Sequence, residues 1–322
     1  MSRFLADTFT VLLIITVAIA SFAPVSGAAA EYFGYATKVA IGLLFFLHGA
    51  RLSRDVVIAG LLHWKLHLTI LAATFVLFPL LGLGIGVLVP IILSPTFYAG
   101  VLFLCVLPST VQSSIAFTSI AGGNVPAAIC AATASNILGM FLTPILAGVL
   151  LSAQGHSDFS LDALQSILLQ LLAPFLLGQI LQPWIGNFLR SKKKLLMPID
   201  RGSILMVVYL AFSESVIEGL WRTISISDLA VLIIIDIALL ALVLTITMFG
   251  SRWAGFSRED EITITFCGSK KSLASGVPIA TVIFAGQSIG SIMLPLMLFH
   301  QIQLMACAVI AQRYAKKISR SA

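Results

Sequence analysis

The chain has 322 residues, 59% of them hydrophobic and 10% charged, with mean hydropathy +1.07 and a net charge of +6. So few charges cannot cover the surface of a soluble globular protein, and so much apolar residue excludes a disordered chain. About 20 apolar residues cross the hydrocarbon core as a helix, so ten crossings use about 200 residues and leave no room for a soluble catalytic domain.

In chain order, the hydropathy pattern predicts ten spans, at residues 4–23, 34–50, 66–89, 96–121, 124–152, 161–188, 202–220, 227–249, 261–286 and 289–313. Arg3, the apolar run from Phe9 to Ala23 and the small residues Gly27 to Ala30 imitate a secretory signal. Asp7 is foreign to such a leader, and the segment is expected to be a retained first span. Residues 51–65 read as an interfacial turn and short helix. With the N-terminus inside, 15 of the 19 Lys and Arg fall on the cytoplasmic side, Lys38 and Arg222 fall outside, and Lys270 and Lys271 fall within the ninth span. That asymmetry predicts two cytoplasmic termini. The basic runs at 190–194 and 313–320 then read as topology signals in contact with anionic membrane lipid, and nucleic-acid binding is not expected.

The chain divides near 154–160 into two sets of five spans, residues 1–153 and 154–322. An odd number per set inverts the second relative to the first, the framework of many secondary transporters. Corresponding spans carry matching polar islands: Pro108-Ser109-Thr110-Val111-Gln112-Ser113-Ser114 in the fourth and Gly268-Ser269-Lys270-Lys271-Ser272 in the ninth. Pro and Gly weaken the helix there, and hydroxyls compete for the backbone. Freed backbone at membrane depth is tolerated only where it meets protein or a wet cavity, so the two breaks point to a binding site. The other reading is a pair of kinked helices with their hydroxyls bonded to the preceding turn.

Each lysine at mid-span costs about 2.5–3.5 kcal/mol on insertion scales. At 1.5 Å per residue, Lys270 sits about 13 Å below Glu261, too deep for snorkelling alone. One lysine is expected to attract an anion from a cavity and the other to meet a core partner, with Asp236 the first candidate. Gln112, Ser113, Ser114, Ser269 and Ser272 complete the expected substrate site. Glu214 and Glu218 lie late in span seven near the outer surface, and His48, His300, Gln301 and Gln303 read as packing residues. The four cysteines lie in apolar stretches and behave as small hydrophobes. No metal spacing, cofactor motif or hydrolytic triad is present in the sequence, so neither a cofactor nor an enzyme is expected.

Ten spans in two inverted fives, broken at the fourth and ninth, resemble the bile acid:sodium symporter superfamily. The Cys267-Gly-Ser-Lys-Lys-Ser-Leu-Ala-Ser-Gly276 stretch resembles its divergent branch, typified by the seventh member of the human bile-acid carrier family and its bacterial relatives. The resemblance implies an all-α fold with a core domain of spans three to five and eight to ten. It also implies a panel domain of spans one, two, six and seven, with the broken spans crossing near the midplane. In sodium-coupled members, Ser-Asn on span four and Glu-x-x-x-Gln on span nine supply sodium ligands. By position these become Ser113 and Ser114, then Ser269 and Leu273, and a polar residue of span three becomes Thr74. The carboxylate is gone and a lysine pair stands beside its place, which argues against sodium coupling. The expectation is a carrier of a small or amphipathic organic anion without obligatory sodium. The alternative is a regulator of cellular calcium handling, as the resemblance to eukaryotic members implies.

Overall fold

The computed structural model describes residues 8–51, 63–153, 161–217, 219, 222, 224–284 and 289–321. Every regular element among them is helical. Gly27–Arg51, Trp64–Leu88, Val125–Leu151, Ile226–Trp253 and Ile289–Lys316 are long and apolar enough to cross a membrane, and Val11–Phe22 and Pro95–Val106 are shorter apolar helices. The expected interfacial segment falls almost wholly outside the described residues, as does Glu218.

The chain forms two compact units. One comprises Met1–Ser53, Ser160–Ser225 and Val277–Met293; the other comprises Arg54–Phe159, Ile226–Gly276 and Leu294–Ala322. In the first unit, α1 (Thr8–Phe22) is followed by α2 (Gly27–Arg51). The latter starts seven residues before the expected 34, because Ala28, Ala29 and Ala30 are strong helix formers. The long helices Leu161–Ser191 and Lys193–Ile217 complete the helical frame. An added Cβ on Gly49 would strike the Phe175 carbonyl, and one on Gly178 would strike that of Phe46. This reciprocal glycine contact lets two backbones touch, a packing mode suited to helices in lipid. Arg51 and Asp200 form an ion pair at 2.6 Å.

The second unit holds the broken helices. Here α3 (Trp64–Ala72) passes through a π-helical turn, Ala73–Leu77, into α4 (Phe78–Ile85). Then come α5 (Pro95–Val106), α6 (Gln112–Ile120) and α7 (Val125–Ala153). The two long helices already described, Leu161–Ser191 and Lys193–Ile217, are α8 and α9. Last are α10 (Ile226–Trp253), α11 (Arg258–Gly268), α12 (Leu273–Ile283), whose later residues belong to the first unit, and α13 (Ile289–Ser321). The expected fourth span is thus α5 and α6 with residues 107–111 between them, and the expected ninth is α11 and α12 with residues 269–272 between them. Ser94 caps α5, its Oγ accepting from Phe97 N, and Ser257 caps α11 in the same way through Asp260 N.

Candidate functional site: a crossing of two broken helices

A helix that stops leaves its last carbonyls without donors. At the end of α5 nearly every such carbonyl is claimed by a specific group. Leu104 O accepts from Leu107 N at 3.3 Å, and Val106 O accepts from Thr143 Oγ1 at 2.8 Å. Pro108 O accepts from Ser272 N at 2.8 Å, and Ser109 O from Asn136 Nδ2 at 2.6 Å. Cys105 O and Leu107 O each accept from Lys271 Nζ at 2.7 Å.

The end of α11 is served in parallel. Thr265 O accepts from Ser269 Oγ at 2.6 Å, Phe266 O from Ser114 Oγ at 3.2 Å, and Cys267 O from Ser109 Oγ at 2.5 Å. Gln303 brackets the Lys271 peptide, its Oε1 accepting from Lys271 N and its Nε2 donating to Lys271 O, both at 2.9 Å. The two breaks therefore bind each other directly, and the helix that follows each one supplies a clamp. Those clamps are Asn136 and Ser135 on α7, and Gln303 on α13. Ser135 Oγ takes the Ser109 N–H at 3.0 Å, and Asn136 Oδ1 accepts from Ser275 Oγ at 2.7 Å. Close approach is built in, since a Cβ on Gly139 would lie 2.6 Å from Pro108 Cβ, and one on Gly276 would lie 2.6 Å from Leu107 Cδ1.

The third partner of Lys271 comes from the π-helical turn. Phe78 N–H bonds back to Ala73 O, and the next residue, Pro79, has no N–H to offer Thr74 O. That orphaned carbonyl receives Lys271 Nζ at 2.8 Å. An ammonium has three donors and no acceptor; here all three reach backbone carbonyls, and the charge sits 4.1 Å over the Phe78 ring. A cation at the C-terminal end of α5 also meets the negative end of that helix dipole.

Lys270 points elsewhere. It is fully buried, as is Lys271, but its Nζ has no hydrogen-bond partner and lies 3.8 Å over Phe117 and 5.6 Å over Phe266. The expected lysine–Asp236 ion pair is not formed, and neither lysine is reachable from outside. Asp236 is fully buried with both carboxylate oxygens unpartnered. The reason is competition: Lys271 spends its three donors on the carbonyls of a broken helix, and its neighbour faces an aromatic ring instead.

The remaining expected residues gather at or beside the crossing. Ser114 Oγ and Ser113 Oγ lie 2.9 and 2.7 Å from Thr110 Oγ1. Ser272 is the N-cap of α12, accepting from Ser275 N at 3.1 Å. Thr74 turns its own hydroxyl back to Ile70 O, so it serves the site through its carbonyl. Gln112 is exposed at the start of α6, with Ser113 half-buried beside it. Gln303, read from the sequence as packing, clamps the Lys271 peptide, and Asn136 drew no expectation; the adjacent polar pair Ser135-Asn136 in an apolar helix is its only sequence signal.

A family model described as the SBF-like CPA transporter family matches residues 7–316. The Pseudomonas aeruginosa protein PA2026 is 56% identical over 315 residues, which cover 98% of this chain and 95% of its own. YfeH of Escherichia coli, named as a symporter, is 50% identical over 311 residues, covering 97% and 93%. Sodium/bile acid cotransporter 7 of Rattus norvegicus is 28% identical over 275 residues, covering 84% and 81%. The chain belongs to the SBF-like CPA transporter family and is an integral membrane transporter rather than an enzyme.

Proposed function

We propose that this transporter carries a small or amphipathic organic anion by alternating access, without obligatory sodium, in a bacterial cytoplasmic membrane with both termini inside. The observation that carries the reading is Lys271 Nζ on the carbonyls of Thr74, Cys105 and Leu107. A dehydrated sodium ion needs a set of oxygen ligands with charge balance. Here a tethered ammonium already occupies a ring of carbonyl oxygens between the π-helical turn and the broken α5, and a free cation beside it would meet like charge. The matching clamps, Asn136 on α7 and Gln303 on α13, favour reading residues 1–153 and 154–322 as inverted five-span repeats. In that reading, spans three to five and eight to ten form a core that works against a panel of spans one, two, six and seven.

The anion's charged group belongs at the start of α6. Gln112 and Ser113 are its accessible side chains, and the N-terminal amides of the half-helix favour negative charge. Lys270 and Lys271 add positive potential from a low-dielectric interior, where it is weakly screened. Ser114, Ser269 and Ser272 hold the crossing that presents this surface.

The test is uptake of a panel of organic anions into proteoliposomes containing the purified chain, in sodium and in potassium, with ligand-induced thermal stabilisation measured in both salts. Equal uptake and equal stabilisation are expected. A saturable, sodium-specific shift would return the protein to sodium symport.

A further inference from the structure

A long slot of about 1070 Å³ runs between α10 and α13, away from the crossing's carbonyl cage. Its walls are apolar, with Ile233, Ile237 and Leu244 on one side and Leu298 and Ile302 on the other. Arg252, Arg313 and Tyr314 stand together at one end. We propose that this slot holds one anionic membrane phospholipid, with its headgroup at Arg252 and Arg313 and one acyl chain lying along the slot.

Four observations converge. Both walls belong to helices long and apolar enough to cross a membrane, and the slot opens outward, since Ile237 is 50% and Met305 60% exposed. On α13 it runs from Arg313 to Leu298, about 22 Å at 1.5 Å per residue, which is the depth of one leaflet with its headgroup layer.

The charge at the mouth fits an anion. Arg252 Nη2 and Tyr314 OH both donate to Glu261 Oε1 at 2.8 Å. That carboxylate balances one guanidinium, and Arg313, exposed and without an ion pair among the described residues, leaves the mouth positive. Trp253, exposed beside Arg252, is the kind of side chain that settles at the headgroup level.

The fourth observation is a buried polar atom without a partner. Thr265 is 1% exposed, borders the slot, and its Oγ1 makes no hydrogen bond. A helical threonine ordinarily returns that proton to the carbonyl four residues back. Thr265 follows Glu261 by four residues, about 6 Å along the helix, which puts the hydroxyl where a glycerol ester lies beneath its phosphate. Gln301 Nε2, also unpartnered, borders the slot about 18 Å along α13 from Arg313, beyond the reach of that ester.

The experiment is native mass spectrometry of the delipidated, detergent-purified full chain, titrated with palmitoyl-oleoyl phosphatidylglycerol or the matching phosphatidylcholine. One phosphatidylglycerol per chain should be retained, and phosphatidylcholine should bind more weakly. Arg313→Gln should weaken phosphatidylglycerol by about fivefold and leave phosphatidylcholine unchanged. Thr265→Val should weaken both lipids severalfold, while Gln301→Leu should change neither. Ala306→Trp, which fills the slot, should abolish retention; the three smaller substitutions keep the test decisive should that variant not fold. Equal retention of the two lipids overturns the proposal, as does retention unaffected by both Arg313→Gln and Thr265→Val. Loss in Gln301→Leu equal to that in Thr265→Val also overturns it, because it points to a soluble amphipathic anion with a polar group at its far end. A dimer that blocks lipid uptake would assign the slot to a second copy instead.

Discussion

Replacing Lys271 with Met keeps the length of the side chain and removes the ammonium from Thr74 O, Cys105 O and Leu107 O. Hydrogen bonds to a charged group contribute about 1.5–3 kcal/mol each, so three represent roughly 5–9 kcal/mol. Relief from burying the charge offsets several kcal/mol of that, and a net destabilisation of about 3–5 kcal/mol is expected. Lys270→Met is the control at the adjacent position. Its Nζ makes no hydrogen bond, so no carbonyl is stranded, and the lost contact over Phe117 contributes about 2 kcal/mol against a larger desolvation cost. That variant should be neutral or more stable. Equilibrium unfolding of the parent and both variants in mixed micelles measures the contrast. In Lys271→Ala the three carbonyls become available to a free monovalent cation, so sodium should restore part of the lost stability there and have no effect on the parent. A Lys271→Met protein that unfolds like the parent, or a Lys270→Met protein that is the weaker of the two, would refute the assignment of Lys271 as the built-in cation.

Other outcomes follow from the same contacts. Asn136→Leu removes the donor to Ser109 O and the acceptor for Ser275 Oγ, and should cost about 2–4 kcal/mol in the same unfolding assay. Gly139→Val pushes a side chain into Pro108 and should cost about 1–3 kcal/mol, read as a lower melting temperature. Asp200→Asn breaks a partly exposed ion pair with Arg51 and should cost less than about 1 kcal/mol, with the difference shrinking as salt rises.

Local signals made much of this molecule legible. Pro108 and Gly268 marked helix breaks because one lacks an N–H and the other has the weakest helix propensity after proline, and both breaks are present. The lysine pair marked the crossing of the two breaks, because two charges so far into an apolar run need a reason. What was not legible was the identity of the partners. Opposite charge suggested Asp236, whereas orphaned carbonyls proved the stronger claim on Lys271. Those carbonyls are invisible to a reading that counts only side chains. One of them was within reach: Pro79 in the third apolar segment implies a free carbonyl four or five residues earlier, and Thr74 is that residue. Gln303 and Asn136 were lost for a different reason. A single amide in a long apolar helix looks alike whether it packs or clamps, and only the tertiary contact to a broken backbone separates the two.

The crossing also limits how a carrier cycle can run. Its backbone is held by α7, by α13 and by the opposing broken helix, through bonds of 2.5–3.2 Å. Parting the breaks would strand each freed buried group at about 1–3 kcal/mol, and several would be freed together. Motion that leaves the crossing intact is therefore far less costly than motion that opens it. An ion that arrived and left could tie and untie the π-helical turn, α5 and the ninth-span break, and so couple its own gradient to that step. Lys271 ties the same three segments with a group that never leaves. Under the proposed function, the occupancy of this cage stays constant through the cycle and the cage itself transmits no sodium gradient. Under the proposed function, any driving force enters through the substrate itself or through another titrating or ion-binding group, with Asp236 and Lys270, both buried without hydrogen-bonded partners, the first places to look.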